Sequence, residues 1–461
     1  MTKFNGKRVA IIGISVEGKD TIDFFLKEGC SIICCDRRSE QELTDTIALY
    51  KDSSVTFNCG PTYLDKIRDA NLIVRTPGMS LKTPELVAAK NRGIEITSAT
   101  KLFFELCAAP IIGVTGTKGK GTTSTLIHDM LAADGKTVFL GGNVGVSLLS
   151  NVRSIKQSDV VVYELSSFQL EDMSISPHVA VVLRITEDHL ANFDVNATNY
   201  HETREAYVEA KSNIVRHQTA DDIAVINRGD GTARTFAEMT TAKKVYFDRY
   251  GTEADCYIEN HTVMLVEEGT VVEIANAHTV QVRGDHNLED VAAATLACRS
   301  MGVPISTIQK AAQAFKGLEH RLEFVRTVHE VSYYNDSFST VPETTIAAIE
   351  SFEEPKVLIL GGSEKKSDFT MMGAYIAKSN VTGVILIGAM TGRIHDALRV
   401  AQFKGKIVIG CTNMHDVVEQ ATKLAKSGSV VLLSPACASF GMFINYKERG
   451  KQFKHEVLAL A

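Results

Sequence analysis

Short apolar runs, each closed by glycine, serine or an acid and followed by a stretch of helical period, recur along the whole chain. The first is Arg8-Val9-Ala10-Ile11-Ile12-Gly13. A helix-like stretch follows through Leu26, and a second run, Ser31-Ile32-Ile33-Cys34-Cys35-Asp36, ends in an acid. Strand, turn, helix, strand and acid in that order begin a Rossmann-like unit. The turn is Gly13-Ile14-Ser15-Val16-Glu17-Gly18, with Ser15 where a dinucleotide site has its second glycine. That glycine lets backbone approach a pyrophosphate. A dinucleotide is therefore disfavoured, and a plain βαβ unit without ligand stays open. Asn71-Leu72-Ile73-Val74 and Thr76-Pro77-Gly78 read as a further strand and its turn.

A second block starts near Thr100. Pro110-Ile111-Ile112-Gly113-Val114-Thr115 reads as a strand, a glycine-rich loop follows, and 122–131 suits a helix. Residues 159–164 and 179–183 are two more strands, each running into a polar cluster, and 200–215 has helical period. Shorter alternating segments over 248–282 suggest a small antiparallel flap. A third block starts near Gly317. Its apolar runs at 356–362, 384–388, 406–410 and 430–434 are each bounded by Gly or Ser, with helical stretches between. Strands alternating with helices predict parallel sheets. The expected architecture is α/β with three domains. A Rossmann-like domain spans 1–98, a central P-loop ATPase-like domain with a mostly parallel sheet spans 99–316, and a Rossmann-like domain spans 317–461.

Composition narrows the classes. The 461 residues are 44% hydrophobic and 23% charged, ordinary globular values, and the length suits about three domains. A formal charge of −6 argues against a nucleic-acid surface. No stretch approaches the ~20 apolar residues of a membrane span. The opening Met1-Thr2-Lys3-Phe4-Asn5-Gly6-Lys7 lacks an apolar signal core, so a cytoplasmic protein is expected. Nine scattered cysteines without a CxxC pair read as reduced thiols.

The loop Gly116-Thr117-Lys118-Gly119-Lys120-Gly121-Thr122 is the main candidate for chemistry. Its glycines let backbone N–H groups converge on phosphate oxygens, Lys120 can reach the β- and γ-phosphates, and the helix N-terminus adds partial positive charge. The usual pattern ends Gly-Lys-Ser/Thr, whereas here the hydroxyl comes one place later, at Thr122. Glu164 closes an apolar strand, at the sheet edge where ligands bind in open α/β folds, and could hold Mg²⁺ against phosphates. A lone acid solvated at a strand end is the commoner case. Glu187-Asp188-His189 also follows a strand, and a single histidine there is more often structural than a ligand. Lys211 lies in a helical stretch, where a lysine is usually solvated, and spacing alone does not select it.

Taken together the segments resemble the Mur ligases. The resemblance rests on residues 113–120, Gly141-Gly142-Asn143, Glu164-Leu165-Ser166-Ser167-Phe168-Gln169-Leu170-Glu171, Thr186-Glu187-Asp188-His189, Ala210-Lys211, His286-Asn287, Gly317-Leu318-Glu319-His320-Arg321, Asn335-Asp336-Ser337, Leu360-Gly361-Gly362 and Leu433-Ser434-Pro435-Ala436-Cys437-Ala438-Ser439. It covers essentially the whole chain, and the segments at 164–171 and 434–439 point to the branch that adds D-glutamate. It implies an ATP-dependent ligase of peptidoglycan precursor synthesis that joins D-glutamate to UDP-N-acetylmuramoyl-L-alanine through an acyl phosphate. The first domain would bind the UDP part, with Asp36 near the uracil and Ser15 and Val16 near the diphosphate. Asn143 would touch the same substrate. The loop 116–122 would hold ATP, joined by Asn287, Arg321 and Asp336. Thr122, Glu164, His189 and Lys211, the last as a carbamate, would hold Mg²⁺ or Mn²⁺. Thr340, Lys365, Ser439 and Tyr446 would surround the amino acid. A monomer with no nucleic-acid partner and no membrane insertion is implied, its third domain closing over the second to exclude water.

One departure bears on specificity. The family's usual lysine three residues after the Asn of Asn-Asp-Ser is Phe338 here, and Tyr446 stands where phenylalanine is common. The shifted hydroxyl at Thr122 resembles the phosphate loop of the related folylpolyglutamate synthetases. Addition of L-glutamate or another amino acid, and a non-catalytic nucleotide-binding relative, stay open beside the main reading.

Overall fold

The computed structural model describes every residue except 1–2, 144–146, 187–198, 278–279, 281–283, 365–366 and 461. The chain forms three sheets in two compact units. One unit takes 1–274 and 289–311, the other 275–288 and 312–461.

In the first unit, five parallel strands run in the order Val55–Cys59, Ser31–Asp36, Arg8–Ile12, Leu72–Arg75, Glu95–Ser98. The chain leaves the central strand Arg8–Ile12 first to one side and then to the other, so the strand order switches at the turn after Ile12. The helix Val16–Lys27 starts in that turn, with Glu17 in its first turn and Lys27 in its last, the favourable signs for its dipole. It buries Ile22, Phe24 and Phe25, and the rings of Phe4, Phe24 and Phe25 meet edge to face at 5.0–5.9 Å.

The second sheet of this unit has nine strands, in the order Thr270–Asn276, Thr262–Glu267, Cys256–Glu259, Lys243–Asp248, Ile223–Asn227, Val179–Val182, Ile111–Thr115, Val160–Glu164, Val138–Gly142. Ile111–Thr115 lies between Val160–Glu164 and Val179–Val182, parallel to both. Here too the order switches at the strand that carries the glycine-rich loop. The region read as a flap is instead a continuation of this sheet. Cys256–Glu259 pairs in parallel with Lys243–Asp248 and antiparallel with Thr262–Glu267.

The second unit has six strands, ordered Glu323–Val328, Val331–Asn335, Val430–Leu433, Lys356–Gly361, Val381–Ile387, Lys406–Val408. All pairs are parallel except the first, whose register shifts between Phe324 and Arg326. Alternate residues feed separate cores, with Leu358, Leu360, Leu386 and Leu432 in one and Val357, Ile359, Ile385 and Leu433 in the other. Burial on both faces explains why these strands read as continuous apolar runs rather than alternating ones.

Candidate functional site

The glycine-rich loop joins the strand Ile111–Thr115 to the helix Lys120–Ala133. Gly119 caps that helix with φ +85°, and a Cβ there would strike the Asp290 carboxylate, so both backbone and space require glycine. Thr117 pins the loop to the neighbouring strand end. Its amide donates to the Arg184 carbonyl at 2.8 Å, and its hydroxyl donates to the Thr186 carbonyl (3.0 Å) and accepts from the Thr186 amide (2.9 Å). A hydroxyl has one proton, so the Tyr207 hydroxyl 3.0 Å away is the donor in their contact. Thr123 adds a bond to Asp290 at 3.0 Å.

Two lysines meet at this loop. Lys120 curls back to donate to the carbonyls of Gly116 (3.1 Å) and Thr117 (3.0 Å). Lys211 comes from the helix Arg204–Arg216, which Thr203 caps by accepting from the Ala206 amide. Contrary to the usual fate of a helix lysine, Lys211 is 2% exposed. Its Nζ donates to the same Gly116 carbonyl at 3.0 Å, reaches Thr115 Oγ1 at 3.4 Å, and lies 4.8 Å from the centroid of the Tyr207 ring. Tyr207 and Lys211 are four apart on one helix, hence on one face, and that spacing was the available signal for Tyr207, which the sequence reading missed.

Glu164 ends the strand Val160–Glu164, opposite Gly142 in the parallel register. Its side chain is 2% exposed. Oε1 accepts from the Asn143 amide nitrogen at 2.9 Å, while Oε2 is buried and finds no hydrogen-bond partner among the described residues. A buried carboxylate oxygen left unpaired costs roughly 1–3 kcal/mol or more, so a cation or donor is owed to it. The Asn143 backbone amide in turn donates to the Glu164 carbonyl at 3.0 Å, and a Cβ at Gly142 would collide with that carbonyl oxygen. No group of three or more His, Cys, Asp or Glu suited to a metal occurs among the described residues. His189 lies outside them, as does Lys365.

A cavity of about 270 Å³ opens beside this corner, lined by Ser15, Val16 and Glu17 of the first sheet's turn and by Gly142, Asn143 and Tyr163 of the second sheet. Asp36 is buried beneath the turn, where its carboxylate accepts from the Ile14 amide (2.8 Å) and from Arg38. Burial pushes this carboxyl up, but the hydrogen bonds from Arg38 and the Ile14 amide outweigh it and hold the group below the usual carboxylate range. Glu17 is opposite in behaviour. Burial, against the attraction of Arg75 and with the repulsion of Asp20, pushes it up to about 7. Buried Arg75 ties the first sheet to the segment after Glu164, forming an ion pair with Asp172, to whose Oδ2 its Nε donates at 3.2 Å, and donating to the Phe168 carbonyl at 3.3 Å.

In the second unit, Arg321 sits between two residues in the left-handed region, His320 (φ 67°) and Leu322 (φ 44°). Such conformations cost on the order of 1–2 kcal/mol each for residues with a Cβ. Asp336 is buried and accepts from the Leu322 amide (3.2 Å), Ser434 Oγ (2.7 Å) and Ser339 Oγ. Burial, opposed by those bonds, raises its carboxyl to about 6. The Arg321 guanidinium carbon is 3.9 Å from the Phe338 ring centroid, and Phe338 meets Tyr446 edge to face at 5.1 Å. Thr340 follows on the same segment, half-buried. Ser439 is buried in the loop after Val430–Leu433, and Tyr446 opens the helix Tyr446–Ala459, capped by Asn445. Arg449, fully buried, bonds Ser337 and the Cys437 carbonyl and so fixes both segments. Asn287, in the same unit, stands in the first turn of the helix Asp285–Ser300, its amide nitrogen 3.3 Å from His286 Nε2. Among the described residues no helix is long and apolar enough to cross a membrane.

Family models match in three places. The MurD-like N-terminal domain of Mur ligases matches residues 7–98, the Mur ligase middle domain 114–298, and the Mur ligase glutamate ligase domain 320–437. The UDP-N-acetylmuramoylalanine--D-glutamate ligase of Acetivibrio thermocellus is 39% identical over 461 residues, covering 99% of this chain and 97% of its own. Its namesake in Symbiobacterium thermophilum is 38% identical over 458 residues, with 99% and 98% covered. Among solved structures, the UDP-N-acetylmuramate-alanine ligase of Thermotoga maritima superposes with TM-score 0.61 at 16% identity, covering 98% of this chain and 99% of that one. The MurF ligase of the same organism, in complex with ADP, gives 0.58 at 17% identity over the full length of both. At those identities the two structures speak for the fold alone.

Proposed function

The chain belongs to the Mur ligase family, and on that footing we propose that it is the ATP-dependent ligase that adds D-glutamate to UDP-N-acetylmuramoyl-L-alanine in peptidoglycan precursor synthesis. The observation that carries this reading is the corner where the phosphate loop, two lysines and the half-paired Glu164 carboxylate meet at adjoining strand ends. The matching relatives, full-length and so named, support it.

A carboxylate does not react with an amine at neutral pH, because oxide would have to leave. In the proposed reaction the γ-phosphoryl of ATP passes to the acceptor carboxylate, giving an acyl phosphate. The amine of glutamate attacks that carbonyl, and the tetrahedral intermediate collapses to the amide, releasing phosphate beside ADP. Three anionic reactants must meet, so most of the protein's task is to neutralise and position charge. Lys120 would exchange its two loop carbonyls for β- and γ-phosphate oxygens, and the loop amides would cradle the rest. Glu164, with Thr122, His189 and Lys211, would hold Mg²⁺ or Mn²⁺; hard cations take oxygen ligands, and the unpaired Glu164 Oε2 fits that need. Such an ion supplies charge neutralisation to the phosphates when bound. Lys211 would serve as a carbamate, a reading supported by its burial and by its sharing of one oxygen with Lys120.

The cavity at Ser15, Val16 and Asn143 would take part of the UDP-linked acceptor, with Asp36 bracing the turn. Arg321, Asp336 and Asn287 would bind ATP, and Thr340, Lys365, Ser439 and Tyr446 the amino acid. Domain limits at 98/99 and 316/317, a monomeric state and a cytoplasmic location complete the proposal. A second reading, the same chemistry with another amino acid, is favoured by Phe338, which removes a cation from that neighbourhood. ADP release by the purified protein with UDP-N-acetylmuramoyl-L-alanine and each of D-glutamate, L-glutamate and other amino acids decides between them. Release with D-glutamate alone is the expected result, and release with none of them would overturn the proposal.

A further inference from the structure

The second unit contains an arrangement that none of these steps uses. The Leu322 amide donates to Asp336 at 3.2 Å and the Phe338 amide to the His320 carbonyl at 3.0 Å, so the residues flanking Arg321 are laced to the segment that carries Phe338. His320 and Leu322 are both left-handed, and the Arg321 guanidinium between them lies on the Phe338 ring at 3.9 Å. That ring is 39% exposed, so burial alone does not explain a phenyl there. It also meets Tyr446 edge to face at 5.1 Å and 86°, and Tyr446 stands edge-on to buried His320 at 5.9 Å and 90°. A guanidinium on an aromatic face has its plane fixed while its in-plane N–H groups still point outward to donate. A lysine at 338 would set a second cation against Arg321, and an aliphatic side chain would offer no face.

We propose that Phe338 is a positioning residue for Arg321, its ring holding the guanidinium in the plane in which it meets the phosphate oxygens of bound nucleotide. This rests on the reading of Arg321 as an ATP ligand, and the test separates the two. Full-length parent, Arg321→Ala, Phe338→Leu and Phe338→Tyr are compared by calorimetric titration with ATP and by steady-state kinetics. Phe338→Leu should weaken ATP binding on the order of tenfold and raise the KM for ATP in step, while kcat at saturating ATP falls much less. Phe338→Tyr, which keeps the ring, should restore most of that affinity. If Arg321→Ala weakens ATP binding but Phe338→Leu does not, or if the leucine and tyrosine variants lose affinity equally, the platform is refuted and the ATP role of Arg321 stands. Unchanged ATP binding in Arg321→Ala would overturn both.

Discussion

The ammonium groups of Lys120 and Lys211 donate to one oxygen, the Gly116 carbonyl, at 3.1 and 3.0 Å. One arrives from the loop itself and the other from the helix Arg204–Arg216. Two cations that close repel by on the order of 2–3 kcal/mol at an effective dielectric of about 20. Turning one of them into an anion would reverse the sign of that term, as the proposed carbamylation of Lys211 would do.

Lys211→Ala should therefore lose about 10²–10³-fold in kcat, the scale of one preorganised charge-stabilising group, and recover part of it with millimolar acetate. Lys211→Arg keeps a cation but forms no carbamate, and its ADP release should be as poor as that of the alanine variant. A fully active arginine variant would end the carbamate reading. Added bicarbonate should stimulate the parent only.

Lys120→Ala removes the donor poised over the loop carbonyls. ATP turnover should vanish while the circular dichroism spectrum and melting temperature stay close to the parent, since Lys120 stands on the loop and donates to the carbonyls of Gly116 and Thr117. Near-normal turnover would sink the assignment of the phosphate loop.

Glu164→Gln keeps shape and the contact to Asn143 while removing the charge. Activity titrated against Mg²⁺ should need far more cation in the variant, and kcat should fall at every concentration. An unshifted Mg²⁺ dependence would count against Glu164 as the cation's support.

Glu17 gives a stability prediction with a definite sign. Its folded-state value is raised to about 7 from 4.5, so the folded protein binds the proton more tightly than the unfolded chain. The stability this confers is present in full below about 4.5 and is lost as the pH rises toward 7, by at most about 3 kcal/mol. Glu17→Gln should show no such term. Urea unfolding at pH 5 and pH 8 should give the glutamine variant the smaller drop, and equal drops would show that Glu17 is not the source.

Much of the fold was legible because its central strands are buried on both faces and so are continuous in hydrophobicity. Val55–Cys59, Glu95–Ser98 and Val138–Gly142 were not predicted, and all three are chemically mixed sheet edges, the first and last of them largely half-exposed. Ile223–Asn227 is as apolar as any predicted strand, and nothing in its pattern accounts for its omission. At the site, the loop announced itself through glycine spacing. Lys211 did not, because a lysine on a helix carries no mark of burial; only the resemblance singled it out. Tyr207 had one signal, its place four residues before Lys211, whereas the pinning of Thr117 depends on segments distant in sequence and became visible only once the chain was folded.

The pairing of Gly142 with Glu164 has a consequence for how this corner can change over generations. The Glu164 carbonyl is held by the Asn143 amide on one side and has no room for a side chain at 142 on the other. Any replacement at position 142 must displace the backbone that aims the Glu164 carboxylate. A small molecule that binds this corner through backbone contacts at 142 and 143 would thus meet a surface closed to escape by substitution at Gly142, since the change that evades the ligand also moves the carboxylate proposed to support the cation.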